Sequence, residues 1–383
     1  MNKRILVMIM LLLTFLSGCQ DANEAERMLY VNAVGIDFKD GKYEIYVQFP
    51  NFANTAKTEQ PIDVEVIQSE IGHATGETME EAIFKLYHSI DQKVYWGHLS
   101  FLVISEEVMK NGKLSPVIDS FIRHKDTRYQ IWLYTTKDPV QDVLLVKTVL
   151  NKSLVLSKLS DPKNTFEQES FIEPVNIRTL LIALDEPSYE AMIPIISVEE
   201  DWESVKEPIK APNLSGVGVV TPNSFKGFIP GDKAKGMQWM SNKMKRGEVT
   251  FKLDGGNYFS MIIEHVKVKI KPIVKKGDVK FDIDVQLEAT VSVIGEMATT
   301  DQIRKEIKKV VEKDILATYK EALEMDVDIY QFSEILYRKN VKEWKKRHTN
   351  GKLDLTEDSI RNLKITVTKL SSARKSFEET ITP

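Results

Sequence analysis

The chain has 383 residues, 42% of them hydrophobic and 28% charged, with 52 Lys and Arg against 56 Asp and Glu and a single cysteine. That composition belongs to folded domains rather than to a disordered or fibrous chain. Its mild acidity lacks the basic footprint of a nucleic-acid binder, and one cysteine leaves nothing to pair with inside the chain. Read in order, a charged start (Lys3, Arg4) precedes an apolar run over 5–15 and then small residues, the layout of a secretory signal. A helix crossing the hydrocarbon core needs roughly twenty residues, so this run is too short to remain as a span. Residues 1–18 are therefore expected to be removed.

The run ends in Leu16-Ser17-Gly18-Cys19, which resembles the bacterial lipobox, with Cys19 acylated and the chain cut between Gly18 and Cys19. The bland alternative is a plain signal peptide with a chance cysteine at its end. One acyl chain gives marginal membrane binding and two hold stably, as a diacylglyceryl Cys19 would. Everything after the cysteine is then expected outside the cytoplasmic membrane.

Residues 19–200 read as an N-terminal mixed α/β domain. Asp40-Gly41 is a preferred two-residue hairpin turn, pairing Val34 with Val47, Ile36 with Ile45 and Phe38 with Tyr43, so the large apolar residues share a face. A strand is expected at 62–66, and a helix opened by Thr78 and Glu81 as a capping box. Strands follow at 99–104 and 129–134, with a short helix stopping at Gly112. Ser115-Pro116 and Asp138-Pro139 read as helix caps followed by proline. The acidic, proline-bearing stretch 199–213 reads as a linker.

Residues 201–255 are expected to form a small middle domain: strands at 216–220 and 225–229, a helix with Met237, Met240 and Met244 on one face, and a strand through Val249 and Phe251. Those methionines read as core filling. Residues 256–383 form the third unit. A turn at Lys276-Gly277 pairs Val274 with Val279, Ile270 with Ile283, Val268 with Val285 and Val266 with Leu287. The other face then sets Lys271 opposite Asp282 and Lys269 opposite Asp284, a mildly favourable solvated arrangement. Helices are expected at 301–325 and 328–347, the second with a basic end over 342–347 that suits the helix dipole, and a closing strand runs through Leu363, Ile365 and Val367. The fold class is α+β: three mixed domains on mostly antiparallel sheets with packed helices.

Chemistry is sparse. None of the six histidines forms a metal-ligand spacing with another on one element. No His-Glu-x-x-His, Gly-x-Ser-x-Gly or phosphate-loop motif occurs. Asp278, Asp282 and Asp284 lie on an extended strand, where calcium ligands do not converge. In Trp96-Gly97-His98 the histidine reads as a hydrogen-bonded residue at a strand start. No catalytic residue, metal or cofactor is expected.

Several stretches carry a resemblance: the lipobox, residues 29–37 (Leu-Tyr-Val-Asn-Ala-Val-Gly-Ile-Asp), residues 96–107 from Trp96-Gly97-His98 to Glu106-Glu107, residues 214–220, the Phe225-Lys226-Gly227-Phe228 hairpin and the long C-terminal helices. Together they resemble the Ger(x)C family, the lipoprotein C subunits of bacterial spore nutrient germinant receptors. The chain departs from the family's frequent Trp-Asp after the cysteine, having Gln20-Asp21. The resemblance implies a non-enzymatic lipoprotein on the outer face of the inner spore membrane. It would work with polytopic A and B subunits in nutrient-triggered germination, as a docking and assembly ectodomain. The rival reading is a solute-binding lipoprotein that delivers a nutrient to a transporter. Such proteins place two parallel-sheet lobes around a cleft, and the two antiparallel hairpins argue against it.

Overall fold

The computed structural model describes residues 27–51, 68–124, 126–186, 190–204, 208–222, 224–253, 256–275, 278–293, 298–372 and 381–382. The expected strand at 62–66, the turn residues Lys276 and Gly277, and Gly18 and Cys19 lie outside these. The chain begins with β1 (Met28–Tyr30), β2 (Ala33–Lys39) and β3 (Lys42–Pro50). Asp40 and Gly41 both take positive φ, 52° and 80°, as a type I′ turn requires. The register is the expected one, with Val34 opposite Val47, Ile36 opposite Ile45 and Phe38 opposite Tyr43. Strand β4 (Ser69–Gly76) adds antiparallel to β3.

Helix α1 (Met79–Tyr87) is capped by the Thr78 hydroxyl, which accepts from the Glu81 N–H at 3.1 Å, while the Glu81 carboxylate accepts from the Glu77 N–H rather than closing a box on Thr78. After β5 (Lys93–Tyr95) comes β6 (Phe101–Ser105), then α2 (Glu106–Lys110), stopped as expected at Gly112, and α3 (Leu114–Arg123). Ser115 is not the cap. Lys113 holds the cap position, its carbonyl accepting from Val117 N–H, so Pro116 sits in the first turn where its missing donor is not needed. Next are β7 (Trp132–Thr136), three residues later than expected, and α4 (Val140–Leu145). Pro139 holds the cap position of α4, because the Asp138 carboxylate instead accepts from the Val198 N–H at 2.8 Å. Helix α5 (Pro162–Gln168), β8 (Val175–Asn176) and α6 (Ile177–Asp185) lead to β9 (Ala191–Glu203), β10 (Pro208–Val220) and β11 (Phe225–Pro230).

The stretch 199–213 is thus no linker. It forms the outer part of a long antiparallel hairpin, Pro212 facing Val198 and Ile209 facing Trp202. Its acidic side chains Glu200, Asp201 and Glu203 all stand exposed at the outer end of β9, and composition alone does not separate such a strand end from a loop. The resulting nine-stranded sheet has the order β11-β10-β9-β7-β6-β2-β3-β4, with β8 beside β7. Strands β9, β7, β6 and β2 are parallel to their neighbours in that run, and the wings are antiparallel. A parallel centre requires both faces covered. Accordingly all five residues of β6 are buried, Leu102 and Ile104 under α1, α3 and α6, and Phe101 and Val103 under α4. Gly35 lets α4 approach, since a Cβ there would lie 2.0 Å from Val140 Cγ1.

The remainder forms a second body. Helices α7 (Gly231–Ala234) and α8 (Gly236–Trp239) replace the single methionine-bearing helix expected; they part at Lys235–Gly236, and Met240 and Met244 lie beyond the end of α8. Met244 is buried and Met237 and Met240 pack on the core. Strands β12 (Gly247–Lys252), β13 (Tyr258–Lys275), β14 (Asp278–Val293) and, after the short β15 (Ala298–Thr299), β16 (Ile360–Ser372) form a four-stranded sheet in the order β12-β13-β14-β16. The β13–β14 register matches the expected pairs, Lys269 facing Asp284 and Lys271 facing Asp282 included, and β16 joins β14 in parallel. Helix α9 (Thr300–Glu324), with a Thr299–Gln302 capping box, buries Ile303, Ile307, Val311, Ile315 and Tyr319. The helix expected over 328–347 divides into α10 (Phe332–Lys339) and α11 (Val341–Arg347). Its start is delayed because the Asp328 carboxylate turns back to accept from Phe332 and Ser333 N–H at 2.9 and 2.6 Å, and it breaks at Asn340, whose side chain caps α11. The expected middle domain, 201–255, has no sheet of its own among the described residues. Its β10 and β11 join the large sheet and β12 the small one, while Val217, Val219 and Ile229 share a core with Trp239 and Phe259.

Candidate functional site

Two places concentrate polar and aromatic structure: where the chain enters the fold, and where the two bodies meet. At the first, β1 pairs in parallel with β5. Tyr30 stacks on the His98 ring at 4.8 Å, and Tyr95 meets both edge-on. His98 is exposed in the turn ahead of β6 and not at a strand start, whereas Trp96 is buried, its indole N–H donating to the Tyr87 hydroxyl at 2.9 Å. The cluster is thus divided, with Trp96 fixing the turn from inside and His98 closing it against the incoming strand.

Beneath it lies a feature the sequence reading missed. Asn32, 3% exposed, donates to the Gln48 side-chain oxygen at 2.8 Å, and the Gln48 amide donates to the Leu144 carbonyl at 2.5 Å at the end of α4. Buried amides are tolerated only when their partners are supplied. The signal available was a polar residue interrupting each of two apolar runs, Val31-Asn32-Ala33 and Val47-Gln48-Phe49. The network ties the segment between β1 and β2 to β3 and α4.

The second place is the junction of the bodies. The Glu190 carboxylate, 4% exposed, accepts from Asp328 N–H at 2.5 Å and pairs with Lys352 at 3.4 Å. Lys352 also holds Asp326 at 2.8 Å, which Lys226 of β11 reaches from the other body at 3.2 Å. Burial pushes the Glu190 carboxyl above its ordinary value despite the ammonium of Lys352, and burial likewise raises that of Asp328. On the far side Ser170 clamps the approach to β12, its hydroxyl accepting from Lys245 and Arg246 N–H at 2.8 and 3.1 Å. These are ties between the two bodies; none aligns a nucleophile with a base.

The remaining sequence candidates are dispersed. Asp282 is held by Arg361 of β16 (Nε to Oδ1, 2.8 Å), which keeps its carboxyl below the usual range, and the row Lys267, Lys269 and Lys271 lies on exposed strand positions. In the basic end of α11, Lys346 and Arg347 both pair with Glu343. Among the described residues no group of three His, Cys, Asp or Glu is placed to hold a metal, and no helix is long and apolar enough to cross a membrane.

Comparison with known proteins decides the family. Residues 21–198 match the spore germination protein N-terminal domain, and residues 215–369 match the spore germination B3/GerAC-like C-terminal domain. The chain belongs to the Ger(x)C family of spore germination proteins. The boundary between the two matches falls on the outer part of the β9–β10 hairpin, so each matched domain supplies one arm of it. Among similar proteins, spore germination protein KC of Bacillus subtilis (strain 168) is 23% identical over 376 residues, covering 90% of each chain. Spore germination protein B3 of the same organism is 24% identical over 287 residues, 73% of this chain and 72% of that protein. The crystal structure of the GerBC protein shares the fold, with a TM-score of 0.56 at 18% identity over 89% of this chain and 97% of that one. Ger(x)C proteins are germinant-receptor C subunits and form no known enzyme family.

Proposed function

We propose that this Ger(x)C protein is a lipid-anchored, non-catalytic ectodomain that docks on the polytopic A and B subunits of a nutrient germinant receptor, at the outer face of the inner spore membrane. The observation that carries it is the sole cysteine, Cys19, at the end of a leader directly ahead of two family domains. Three further features agree. The Asn32–Gln48–Leu144 network couples the tethered end to the sheet. The Glu190–Asp328–Lys352 ties hold the bodies in one arrangement. A rigid surface loses less entropy on association than a flexible one.

Crosslinking in spore membranes, followed by identification of what is attached, tests the partners. Recovery of a transporter-like polytopic protein is expected. Recovery of an ATP-driven permease, or tight calorimetric binding of a nutrient by this protein alone, overturns docking in favour of solute delivery.

A further inference from the structure

Resting on the anchored reading above, we propose that residues 145–158, from the last residue of α4 into its connection to α5, dip into an anionic lipid surface beside the tether. Leu150 and Leu156 are 80% and 73% exposed, and Leu145 and Val155 also stand out of the surface. Four large apolar side chains within twelve residues are not the scattered exposure normal for soluble proteins. Leu150 holds φ at 58°, a left-handed conformation that a leucine rarely adopts, so backbone strain accompanies its outward position. The connection is nonetheless pinned: Thr148 N–H donates to the Gln68 side chain at 3.2 Å, and Leu154 and Leu159 are buried. The outward residues are presented by an anchored loop.

Its charges are of one sign. Lys147 and Lys152 stand exposed within it, Lys158 being turned inward near Glu169 and Glu199, and no acidic residue occurs between Asp142 and Asp161, in a chain that is acidic as a whole. Lysines flanking exposed leucines match a surface of anionic headgroups over acyl chains. Position points the same way. A cleft of about 350 Å³ is lined by Tyr30 and His98 at the chain's entrance into the fold and by Val155 of this connection. Strands β2, β6 and β7 all begin at that end. Residues 20–26 separate Cys19 from Arg27, and at about 3.3–3.6 Å per extended residue they reach at most about 25 Å. The acyl anchor therefore holds this end within reach of the bilayer.

Because Cys19 is the only cysteine, Leu156→Cys gives the acylated mature protein one free thiol for a nitroxide label. The protein is reconstituted into vesicles of equal parts phosphatidylglycerol and phosphatidylethanolamine. Collision with a water-soluble nickel chelate is expected to fall several-fold relative to the same label at Phe84→Cys, a position 65% exposed on α1. The protection should shrink in pure phosphatidylcholine or at high salt, where attraction to headgroups is lost or screened. Equal accessibility at the two positions overturns the proposal, as does protection that appears only when other receptor proteins share the vesicle. Mass analysis of the N-terminal peptide runs alongside. A missing acyl group sinks the anchor, whereas an acylated protein with a water-exposed label sinks only the loop.

Discussion

The four-stranded sheet takes its order from consecutive strands, β12, β13 and β14, and leaves one face to water, where Lys269 and Lys271 meet Asp284 and Asp282. The nine-stranded sheet instead draws β2, β6, β7 and β9 from across some 170 residues into a parallel centre and buries it on both faces. The first is a locally specified scaffold. The second depends on helices returning from long excursions, and the bodies then share a core through β10 and β11. The contrast teaches that damage to a side chain joining the bodies should propagate, whereas damage to the solvated sheet face should not.

The largest effect is expected from Trp239→Ala. This side chain is fully buried in the shared core, with its indole N–H on Asp314 at 3.0 Å, and removing such a group costs about 3–5 kcal/mol. Denaturant unfolding should show a lower midpoint for both bodies together. A loss confined to one transition would break the shared-core account.

Next is Glu190. Replacing it with Ala leaves the buried Asp328 N–H without its acceptor, a loss of about 1–3 kcal/mol. The pH dependence has a definite sign. Glu190 is raised in the folded state by burial, so between the ordinary glutamate value and that raised value the folded state binds more protons. In that window this group's contribution to stability rises as pH falls. Glu190→Gln should flatten the stability profile there; an unchanged profile would remove Glu190 from the junction's energetics.

Gly41→Ala should cost about 1 kcal/mol, since φ is 80° there and nothing lies within 4 Å of the added methyl. A thermal melt checks it, and a larger loss would mean the hairpin turn constrains more than its own strands. Arg361→Ala should be smallest. Its partner Asp282 lies on the solvated face, and exposed ion pairs add little. A clear drop in unfolding midpoint would give that face a structural role.

The same contrast explains what could be read from the sequence. Asp40-Gly41 and the alternation on each side set the β2–β3 register, and the Val266–Lys275 run and its partner set β13–β14, because turn chemistry and period-two patterning are local. The β9–β10 hairpin reads as a linker in the sequence, since Pro208, Pro212 and the acids of 199–203 look like breakers until a neighbouring sheet supplies their partners. The parallel order of β2, β6, β7 and β9 has no local signal. Cys19 stands out in the sequence by its motif, and at the candidate site Trp96 does so too. Asn32, Gln48, Glu190 and Lys352 do not, because what matters in each is a contact more than fifteen residues away in sequence.

Fatty-acid labelling of the wild-type protein against Cys19→Ser, with membrane retention scored in the same spores, tests the tether most directly. The account predicts label and retention in the wild type and loss of both in the variant. A wild type that takes up no label, or a Cys19→Ser protein held at the membrane as firmly as the original, would contradict it.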